Sequence, residues 1–297
     1  MLKLSKQAKT DLVGYSFILP NIIGTTLFVL LPLIFTLGIS FTDWDFLSGL
    51  QNIHFNGGTN YVKLWSDEWF TSSLKNTIIY AVAVVPITVF LSLICAVLIE
   101  KYAYGKTPIK LAAFMPYISN IVAVSVVWKM MYAPWGPFTQ LMQAFGWQNT
   151  PAWLGDYDWA LPAIILVGIW GGIGYCIMIY SSAIQGLPQD VYEAAEVDGA
   201  GPIRQFFQIT IPGLSPTTFF LVITQSIQAF QIFAQVQIMT GGGPGTSTHV
   251  LVYYIYTTAF SFYKMGYASA ISWILFLILI VITLFQWQGQ KRWVSYQ

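Results

Sequence analysis

Two stretches of the sequence bring together polar side chains that could bind a partner or a ligand. The first, EAAEVDGAGPIRQFFQITIP at residues 193–212, holds three carboxylates, one arginine and two glycines between long apolar runs. The second, TQSIQAFQIFAQVQI at residues 224–238, places five glutamines in an otherwise apolar run. Carboxylates form charge-assisted hydrogen bonds, whereas amides donate to and accept from uncharged groups such as hydroxyls. The two stretches therefore predict two different kinds of contact.

The sequence offers no catalytic or metal-binding constellation. Its two histidines, His54 and His249, lie far apart in segments that we predict to be exposed loops, and no H-E-x-x-H motif occurs. Both cysteines, Cys95 and Cys176, lie inside apolar runs, which indicates small buried hydrophobic residues rather than a disulfide or a metal site. We expect no catalytic residue, no metal ligand and no enzyme activity.

A short basic segment, EKYAYGKTP, matches part of the phosphate-binding motif G-x-x-x-x-G-K-[ST]. Gly105, Lys106 and Thr107 fit the end of that motif, but Glu100 stands at its first glycine position. The segment also forms a short loop between two apolar runs, with no predicted strand before it. We therefore predict that this chain holds no nucleotide site.

The composition indicates an integral membrane protein. Hydrophobic residues make up 56% of the 297 residues and charged residues only 8%, compared with about 25% in soluble domains. The net charge of +1 argues against a nucleic-acid partner. A bilayer core of about 30 Å needs roughly 20 apolar helical residues, and six stretches meet that length. They are residues 13–41, 74–99, 109–131, 159–185, 213–239 and 268–288. We expect kinks at prolines within them, including Pro20, Pro32, Pro86 and Pro116.

The basic residues predict the orientation. Nine of the 13 lysines and arginines fall on one side of the predicted membrane, in both termini and the loops after the second and fourth spans, and four fall on the other. The positive-inside rule then places both termini in the cytoplasm. The predicted organisation is a cytoplasmic N-terminus (1–12), a first span (13–41), an external loop (42–73), a core (74–288) and a cytoplasmic C-terminus (289–297). We expect the external loops to carry an aromatic belt of tryptophans.

The charged stretch falls within a predicted cytoplasmic segment, residues 186–212, which we call the EAA segment. Pro188 indicates a helix start, and acidic residues follow in the first turns where the helix dipole favours them. The sequence Gly199-Ala200-Gly201 breaks that helix, and Pro202 starts another. We predict two short helices joined by a turn on the cytoplasmic face.

The EAA segment resembles the EAA loop of ABC-importer permeases, in which Glu-Ala-Ala is followed by a glycine and then by a hydrophobic-Pro pair. A second stretch, MTGGGPGTST at 239–248, is similar to the T-x-G-G-P stretch of the carbohydrate subfamily, which imports maltose, other oligosaccharides and glycerol-phosphate compounds. This chain resembles its shorter six-helix form. The resemblance implies the all-α type I importer permease fold and a surface that couples to an ATPase. That surface comprises Glu193, Ala194, Ala195, Asp198, Gly199, Ala200 and Gly201.

The resemblance also implies partners. These are a homologous second permease, two separate ATPase subunits that bind ATP and Mg²⁺, and an external or periplasmic sugar-binding protein, which the external loops including 240–249 would receive. This chain itself would need no cofactor. Membrane lipid would surround it as a multi-pass protein of a bacterial or archaeal cell membrane.

The glutamine stretch is the main candidate for a ligand site. Gln225, Gln228, Gln231 and Gln235 are spaced to share one face of a helix, and polar residues within spans usually face the bundle interior or a water-filled cavity. The resemblance adds Tyr117, Trp170, Gly172 and Tyr175 as residues aligned with a sugar site, with Asn120 nearby. Hydrogen bonding between helices and ordinary core packing are the alternatives.

The spans carry no charge away from their ends, which favours a neutral oligosaccharide as the substrate. Glycerol-3-phosphate or a polyol remains an alternative substrate for the same machine. A secondary carrier is an alternative of a different class, although it would leave the EAA segment without an explanation.

Overall fold

The computed structural model describes residues 6–291 and 293–294. Lys3 and Arg292, which contribute to the predicted orientation, lie outside these residues. Within the described part of the chain the regular structure is helical, and the sole β-type pairing is an isolated bridge between Thr42 and Phe55. The all-α prediction is therefore confirmed.

The helices are, in chain order, α1 (Lys6–Thr25), α2 (Leu31–Ser40), α3 (Thr59–Leu64), α4 (Glu68–Tyr102), α5 (Lys106–Ile118), α6 (Ile121–Met131), α7 (Pro137–Ala144), α8 (Ala160–Gln185), α9 (Gln189–Val197), α10 (Pro202–Gln205), α11 (Ile211–Gly213), α12 (Ser215–Phe230), α13 (Ala234–Met239), α14 (Leu251–Tyr256) and α15 (Met265–Gln290). They fall into two compact units. One comprises Met1–Ser66 with Ile255–Ile274, and the other comprises Asp67–Tyr254 with Leu275–Gln297.

Four helical stretches are long and apolar enough to cross a membrane on their own, namely Gly14–Ser40, α4, α8 and α15. Two further pairs meet the same criteria only when taken together. These are α5 with α6, bent by 95°, and Pro202–Gly213 with α12, bent by 63°. If each bent pair is one span, the total reaches the six spans predicted from the sequence.

The first span contains a π-helical turn, Thr26–Leu30, between α1 and α2. Pro32 follows this turn closely and has no N–H to donate to the carbonyl one helical turn before it, so the register shifts locally. A second π-helical turn, Phe206–Thr210, precedes Pro212 in the same way. Proline thus changes the hydrogen-bond register at both places. Pro20, by contrast, lies within α1, which continues through it as an α-helix.

The longest helix of the described chain, α4, runs without interruption through Pro86. It begins at Glu68, earlier than the predicted boundary at 74, because the Asp67 side chain accepts hydrogen bonds from the backbone N–H groups of Trp69 and Phe70 (2.9 and 3.3 Å). Its 35 residues extend about 52 Å at 1.5 Å per residue. α4 packs along α8, α5 and α12, and it is the longest element of their unit.

The predicted span 109–131 is two helices rather than one kinked helix. Pro116, the expected kink, stays inside α5, and the break falls at Ser119 and Asn120 instead. The Asn120 side chain caps α6 by accepting from the backbone N–H groups of Val122 (2.8 Å) and Ala123 (3.4 Å). The amide cap satisfies donors that a new helix start exposes, which explains why the chain breaks there.

The predicted span 213–239 is also interrupted. α12 ends at Phe230, and α13 begins only at Ala234. Phe233, with φ −144° and ψ −62°, lies outside the helical region, so the helix does not continue through it. The glutamines that the sequence placed on one continuous helix therefore belong to two helices and the break between them.

Glycine allows α5 and α8 to approach closely. A Cβ atom at Gly174 in α8 would collide with the backbone carbonyl of Ala113 in α5 and lie 2.8 Å from the Cα of Phe114. By contrast, a Cβ atom at Gly171, in the same helix, has no neighbour within 4 Å. Small residues permit such backbone contact between membrane helices, so Gly174 sets the separation of this pair.

We expect Gly174→Ala to destabilise the purified protein by about 1–3 kcal/mol, the usual cost of overpacking a close contact. The melting temperature in detergent, followed by intrinsic tryptophan fluorescence, measures the effect. Gly171→Ala is the matched control and should melt close to the wild-type temperature. Equal melting of both variants with the wild type would contradict the packing role of Gly174.

Candidate functional site

The EAA segment has the predicted helix–turn–helix form. α9 ends at Val197, and Gly199 takes a left-handed conformation with φ +75°. α10 then starts at Pro202. Glu193, Ala194, Asp198, Gly199 and Gly201 are exposed, whereas Ala195 and Ala200 are half-buried.

Space around the turn is open. A Cβ atom at either Gly199 or Gly201 would have no neighbour within 4 Å. Glu193 accepts a hydrogen bond from Gln189 Nε2 at 3.0 Å within α9, so its carboxylate keeps acceptor capacity for a partner. The tip of the segment presents small residues beside an exposed carboxylate.

A cavity of about 410 Å³ with several polar side chains in its lining lies among α4, α5, α6, α8, α12 and α13. Six of the nine predicted ligand residues line it: Tyr117, Gly172, Gln225, Gln228, Gln231 and Gln235. Its lining includes no Lys, Arg, Asp, Glu or His side chain. The cavity is therefore suited to an uncharged ligand that hydrogen-bonds with amides.

The break between α12 and α13 brings the glutamines together. Gln225 and Gln228 lie on α12, Gln231 is the residue just after it, and Gln235 lies on α13. The predicted common helix face is therefore wrong, since these side chains reach the cavity from two helices and the connection between them. Gln237, also on α13, does not line the cavity.

Gln225 is the most deeply placed of these amides. It is only 5% exposed, and its Nε2 atom has no hydrogen-bond partner within the described chain. The Oγ1 atom of Thr88, which is fully buried, likewise has no partner there. Both side chains lie beside Gly172, where a Cβ atom would be 3.4 Å from Gln225 Oε1 and 3.1 Å from Thr88 Cγ2. An unpaired buried donor at a cavity wall is costly unless a ligand or water satisfies it.

The other three predicted ligand residues do not line the cavity. Trp170 packs edge-on against Trp128, with ring centroids 5.3 Å apart. Tyr175 stacks on Tyr117 at 4.8 Å and so supports a cavity residue from behind. Asn120 caps α6, as described above. The structure assigns these three side chains packing, supporting and capping contacts.

Sequence reasoning missed Tyr80, whose ring lines the cavity from α4. Its hydroxyl donates to Gln235 Oε1 at 3.4 Å, and Gly168 leaves room for it, because a Cβ atom there would collide with the Tyr80 hydroxyl oxygen. The signal was available in the sequence as polar positions recurring along the apolar run of α4. Phe233 was also missed, since its position depends on a break that the apolar pattern did not reveal.

The glycine-rich stretch after α13 folds tightly onto the start of α4. The Asn76 side chain donates to the carbonyls of Thr246 (2.7 Å) and His249 (2.9 Å), and Thr77 Oγ1 accepts from the Leu251 backbone N–H at 2.9 Å. Gly241, Gly242 and Gly245 take positive φ angles, which only glycine adopts readily. The glycine-rich stretch is therefore anchored to α4 by hydrogen bonds, and it is exposed at Gly241 and Gly245.

His249 was expected to be an exposed loop residue, and that prediction is wrong. The side chain is 5% exposed and lies edge-on to Trp69 (4.7 Å between centroids) and Tyr253 (4.9 Å). Its Nδ1 atom has no hydrogen-bond partner among the described residues. Burial among aromatic rings lowers the pKa of His249 to about 4, since desolvation disfavours the charged imidazolium. His54 is exposed, as expected.

Three of the tryptophans predicted for the aromatic belt contact one another, and of these Trp147 and Trp159 are exposed. Trp153 is buried, lies 5.4 Å from Trp147 and 5.6 Å from Trp159, and donates from Nε1 to Thr139 Oγ1 at 3.0 Å. These residues stabilise the connection between α6 and α8. Trp135 and Trp65 are exposed, as an interfacial belt requires.

Comparison with known families identifies the class. Residues 66–292 match the family described as "Binding-protein-dependent transport system inner membrane component", so the chain belongs to that family. It is a multi-pass permease component of an ABC transporter and not an enzyme. No group of three or more His, Cys, Asp or Glu side chains placed to hold a metal ion occurs in the described part of the chain.

Several named relatives are similar to this chain over nearly their whole length. The chain is 36% identical to the probable ABC transporter permease protein YurN of Bacillus subtilis, covering 94% of this chain and 96% of the relative. It is 33% identical to the lactose transport system permease protein LacF of Rhizobium radiobacter, covering 95% of each. It is 30% identical to the sn-glycerol-3-phosphate transport system permease protein UgpA of Yersinia pestis, again covering 95% of each.

A solved structure confirms the permease fold. A chain of a bacterial ABC transporter involved in the import of the acidic polysaccharide alginate superposes with a TM-score of 0.81, at 23% identity, over 98% of this chain and 99% of that chain. The predicted importer permease fold is therefore confirmed.

The burial of His249 predicts that the stability of the folded protein depends on pH. Its folded pKa of about 4 lies below its ordinary value of 6.5, so between these pH values the unfolded chain binds a proton that the folded chain does not. Stability should therefore fall as the pH is lowered through this window and should lose nothing further from this group below about pH 4. His249→Phe should flatten the change in melting temperature across the window. His54→Phe is the control, and a slope that both variants share with the wild type would contradict the assignment.

Proposed function

We propose that this chain is a permease subunit of an ABC importer for a neutral oligosaccharide. The main observation in support is the cavity of about 410 Å³. It is lined by four glutamine amides, two tyrosines and several glycines, without any charged side chain. Sugars present hydroxyl groups that pair with amides and C–H faces that pack on aromatic rings. The proposed ligand residues are those six that line the cavity, together with Tyr80.

The relatives are named for different kinds of transported molecule, so the choice of substrate class for this chain depends on the chemistry of its cavity. LacF is named for lactose and UgpA for sn-glycerol-3-phosphate. A phosphate or an acidic polysaccharide would leave its charge uncompensated in this cavity, which is unfavourable away from water. The neutral class represented by lactose fits the lining better than glycerol-3-phosphate does. Family membership leaves no reason to retain a secondary carrier.

We propose that the EAA segment docks into an ATPase subunit. Its exposed tip combines small residues with the Glu193 carboxylate, which suits insertion into a cleft and a charge-assisted hydrogen bond there. The proposed docking residues are Glu193, Ala194, Ala195, Asp198, Gly199, Ala200 and Gly201. This assignment places the EAA segment and both termini in the cytoplasm, in agreement with the distribution of basic residues.

The complete importer would contain this chain, a homologous second permease, two ATPase subunits that bind ATP and Mg²⁺, and an external sugar-binding protein. The name of the matching family supports a binding protein. A related solved structure is described as an alginate ABC transporter in complex with an alginate pentasaccharide-bound periplasmic protein. We propose that the glycine-rich stretch 240–249 contributes to the surface that receives the binding protein.

The cavity assignment predicts the behaviour of Gln225→Leu. Loss of one net hydrogen bond of about 1 kcal/mol should raise the substrate concentration for half-maximal uptake by about three- to tenfold. The melting temperature should stay the same or rise, because the variant removes a buried donor that has no partner in the described chain. Uptake by the complete importer in proteoliposomes, with neutral oligosaccharides and glycerol-3-phosphate supplied in parallel, measures the effect.

Gln237→Leu is the matched control, since Gln237 is an exposed glutamine on α13 outside the cavity. It should transport as the wild type does. Unchanged uptake by Gln225→Leu, or an equal loss in both variants, would remove the cavity from the substrate path. Uptake of glycerol-3-phosphate in preference to every neutral sugar would overturn the proposed substrate class.

The docking assignment predicts that Glu193→Lys releases the ATPase subunit. The variant replaces the carboxylate with a longer cationic side chain. It should lower the amount of ATPase that co-purifies with tagged permease from native membranes by about tenfold or more, the usual scale for losing a charge-assisted contact. Asp158→Lys, the same reversal at an exposed position before α8, should retain the ATPase. Full retention by Glu193→Lys would contradict docking through this surface.

A further inference from the structure

The proposed function leaves open how movement of the EAA segment reaches the cavity. We infer that Glu100, Lys101 and Gln205 are positioning residues that join the EAA segment to the helices lining the cavity. The inference rests on the docking role proposed for the EAA segment. It is based on two sets of polar contacts at the end of α4, which we call junctions. One is made by Lys101 and the other by Glu100.

Gln205 forms the junction on the EAA side. It is 3% exposed, in a segment whose other side chains are largely exposed. Its Nε2 atom donates to the Ala200 carbonyl at 3.1 Å, and its Oε1 atom accepts from Lys101 Nζ at 3.3 Å. One buried amide therefore closes the turn of the EAA segment and ties that turn to α4.

The EAA segment is also braced internally, so that it can move as one body. The Tyr192 and Thr210 hydroxyls lie 2.9 Å apart, linking α9 to the π-helical turn that follows α10. Thr210 is buried and also donates to the Gln205 carbonyl at 3.4 Å. Displacement of the tip would therefore displace Gln205 with it.

Glu100 forms the second junction. Its side chain is 8% exposed, and it accepts hydrogen bonds from Lys110 Nζ at 2.9 Å and from Gln185 Nε2 at 3.2 Å. The Lys106 ammonium lies 3.6 Å from the other carboxylate oxygen. Glu100 thereby joins the end of α4 to the start of α5 and the end of α8.

This junction gives a role to the basic segment that resembles part of a phosphate-binding motif. Gly105, with φ +70°, occupies a left-handed conformation that turns the chain from α4 into α5. Lys106 and Lys110 are four residues apart in α5 and share a face, and that face points at Glu100. The turn at Gly105 is followed by two lysines that bind a carboxylate of the protein itself.

The three helices that Glu100 joins are three walls of the cavity. α4 contributes Tyr80, α5 contributes Tyr117, and α8 contributes Gly168 and Gly172. Consecutive residues of a helix point in different directions. At the end of α4, Glu100 therefore binds side chains of α5 and α8, whereas Lys101 binds Gln205 of the EAA segment. Force on the EAA segment therefore passes through Gln205 and Lys101 to α4, and through Glu100 to α5 and α8.

The test uses the complete importer in proteoliposomes and measures sugar transported per ATP hydrolysed. Gln205→Leu removes both bonds of the amide without changing charge. We expect the ATPase subunit to co-purify at the wild-type amount, ATP hydrolysis to continue, and transport per ATP to fall at least about fivefold, the lower end of usual coupling between sites. Gln208→Leu is the matched control, because Gln208 is exposed and accepts from Arg204 within the same segment.

Lys101→Met tests the same junction from α4, in case Gln205→Leu disturbs the turn itself. It should lower transport per ATP as Gln205→Leu does, and Lys101→Arg, which keeps a cationic donor, should restore at least half of it. A purely structural role would instead lower assembly or melting temperature and leave the ratio unchanged.

Wild-type transport per ATP in both Gln205→Leu and Lys101→Met would overturn the inference. Loss of the ATPase from Gln205→Leu would also overturn it, since that result would assign Gln205 to docking. Failure of the docking proposal has a different signature, namely retention of the ATPase by Glu193→Lys. A lowered ratio in Gln205→Leu alongside that retention would support the junction while rejecting the docking surface.

Discussion

In the hydrocarbon region of a membrane, every backbone N–H and C=O group has to find a partner within the protein, so a helix can stop only where something satisfies its ends. The cavity of this permease forms where two of the predicted spans are interrupted, and the two interruptions lie next to the same cavity. Ser119, at the break between α5 and α6, and Phe233, at the break between α12 and α13, both line it. At the breaks, backbone polar groups and side chains face the cavity. In a continuous helix the backbone groups would be hydrogen-bonded within the helix, and the side chains would point in several directions.

Each break is supported in its own way. Asn120 accepts from two N–H groups at the start of α6, which is the ordinary remedy for the exposed donors of a helix start. At the other break, the Gln231 N–H still bonds to the Gln228 carbonyl at 3.1 Å, so α12 ends in a tighter turn. The Gln231 side chain is thereby released from the helix face and becomes part of the cavity lining. The polarity of the cavity is thus a consequence of where the helices end.

The sequence was sufficient for the class of fold and for the EAA segment, because both depend on local signals. Apolar length marks the spans, and Pro188, Gly199 and Pro202 mark the two short helices directly. It was insufficient for the breaks, because proline was taken as the breaking residue. Pro116 and Pro86 remain inside helices, whereas an asparagine cap and the irregular Phe233 make the actual interruptions. Those choices depend on neighbouring helices that a single apolar pattern does not specify.

The same distinction explains the candidate site. Four glutamines were identified by their polarity, and all four reach the cavity even though no single continuous helix carries them. Trp170, Tyr175 and Asn120 were identified by alignment or proximity, and each is occupied by a packing, stacking or capping contact. His249 was misplaced because a loop histidine is usually solvated, whereas here Asn76 holds the loop backbone and aromatic rings enclose the imidazole.

The contrast between broken and unbroken helices has a mechanical consequence. A cavity formed at two helix breaks can change shape at low cost, since its walls meet at irregular backbone rather than along continuous helices. α4 is the opposite case, because it is continuous from the glycine-rich stretch that Asn76 holds to the Lys101 contact with the EAA segment. A rigid element between two ends, passing a deformable site, converts displacement at one end into a change at the site. The function that we propose, in which sugar binds on one side and force arrives on the other, is consistent with that combination.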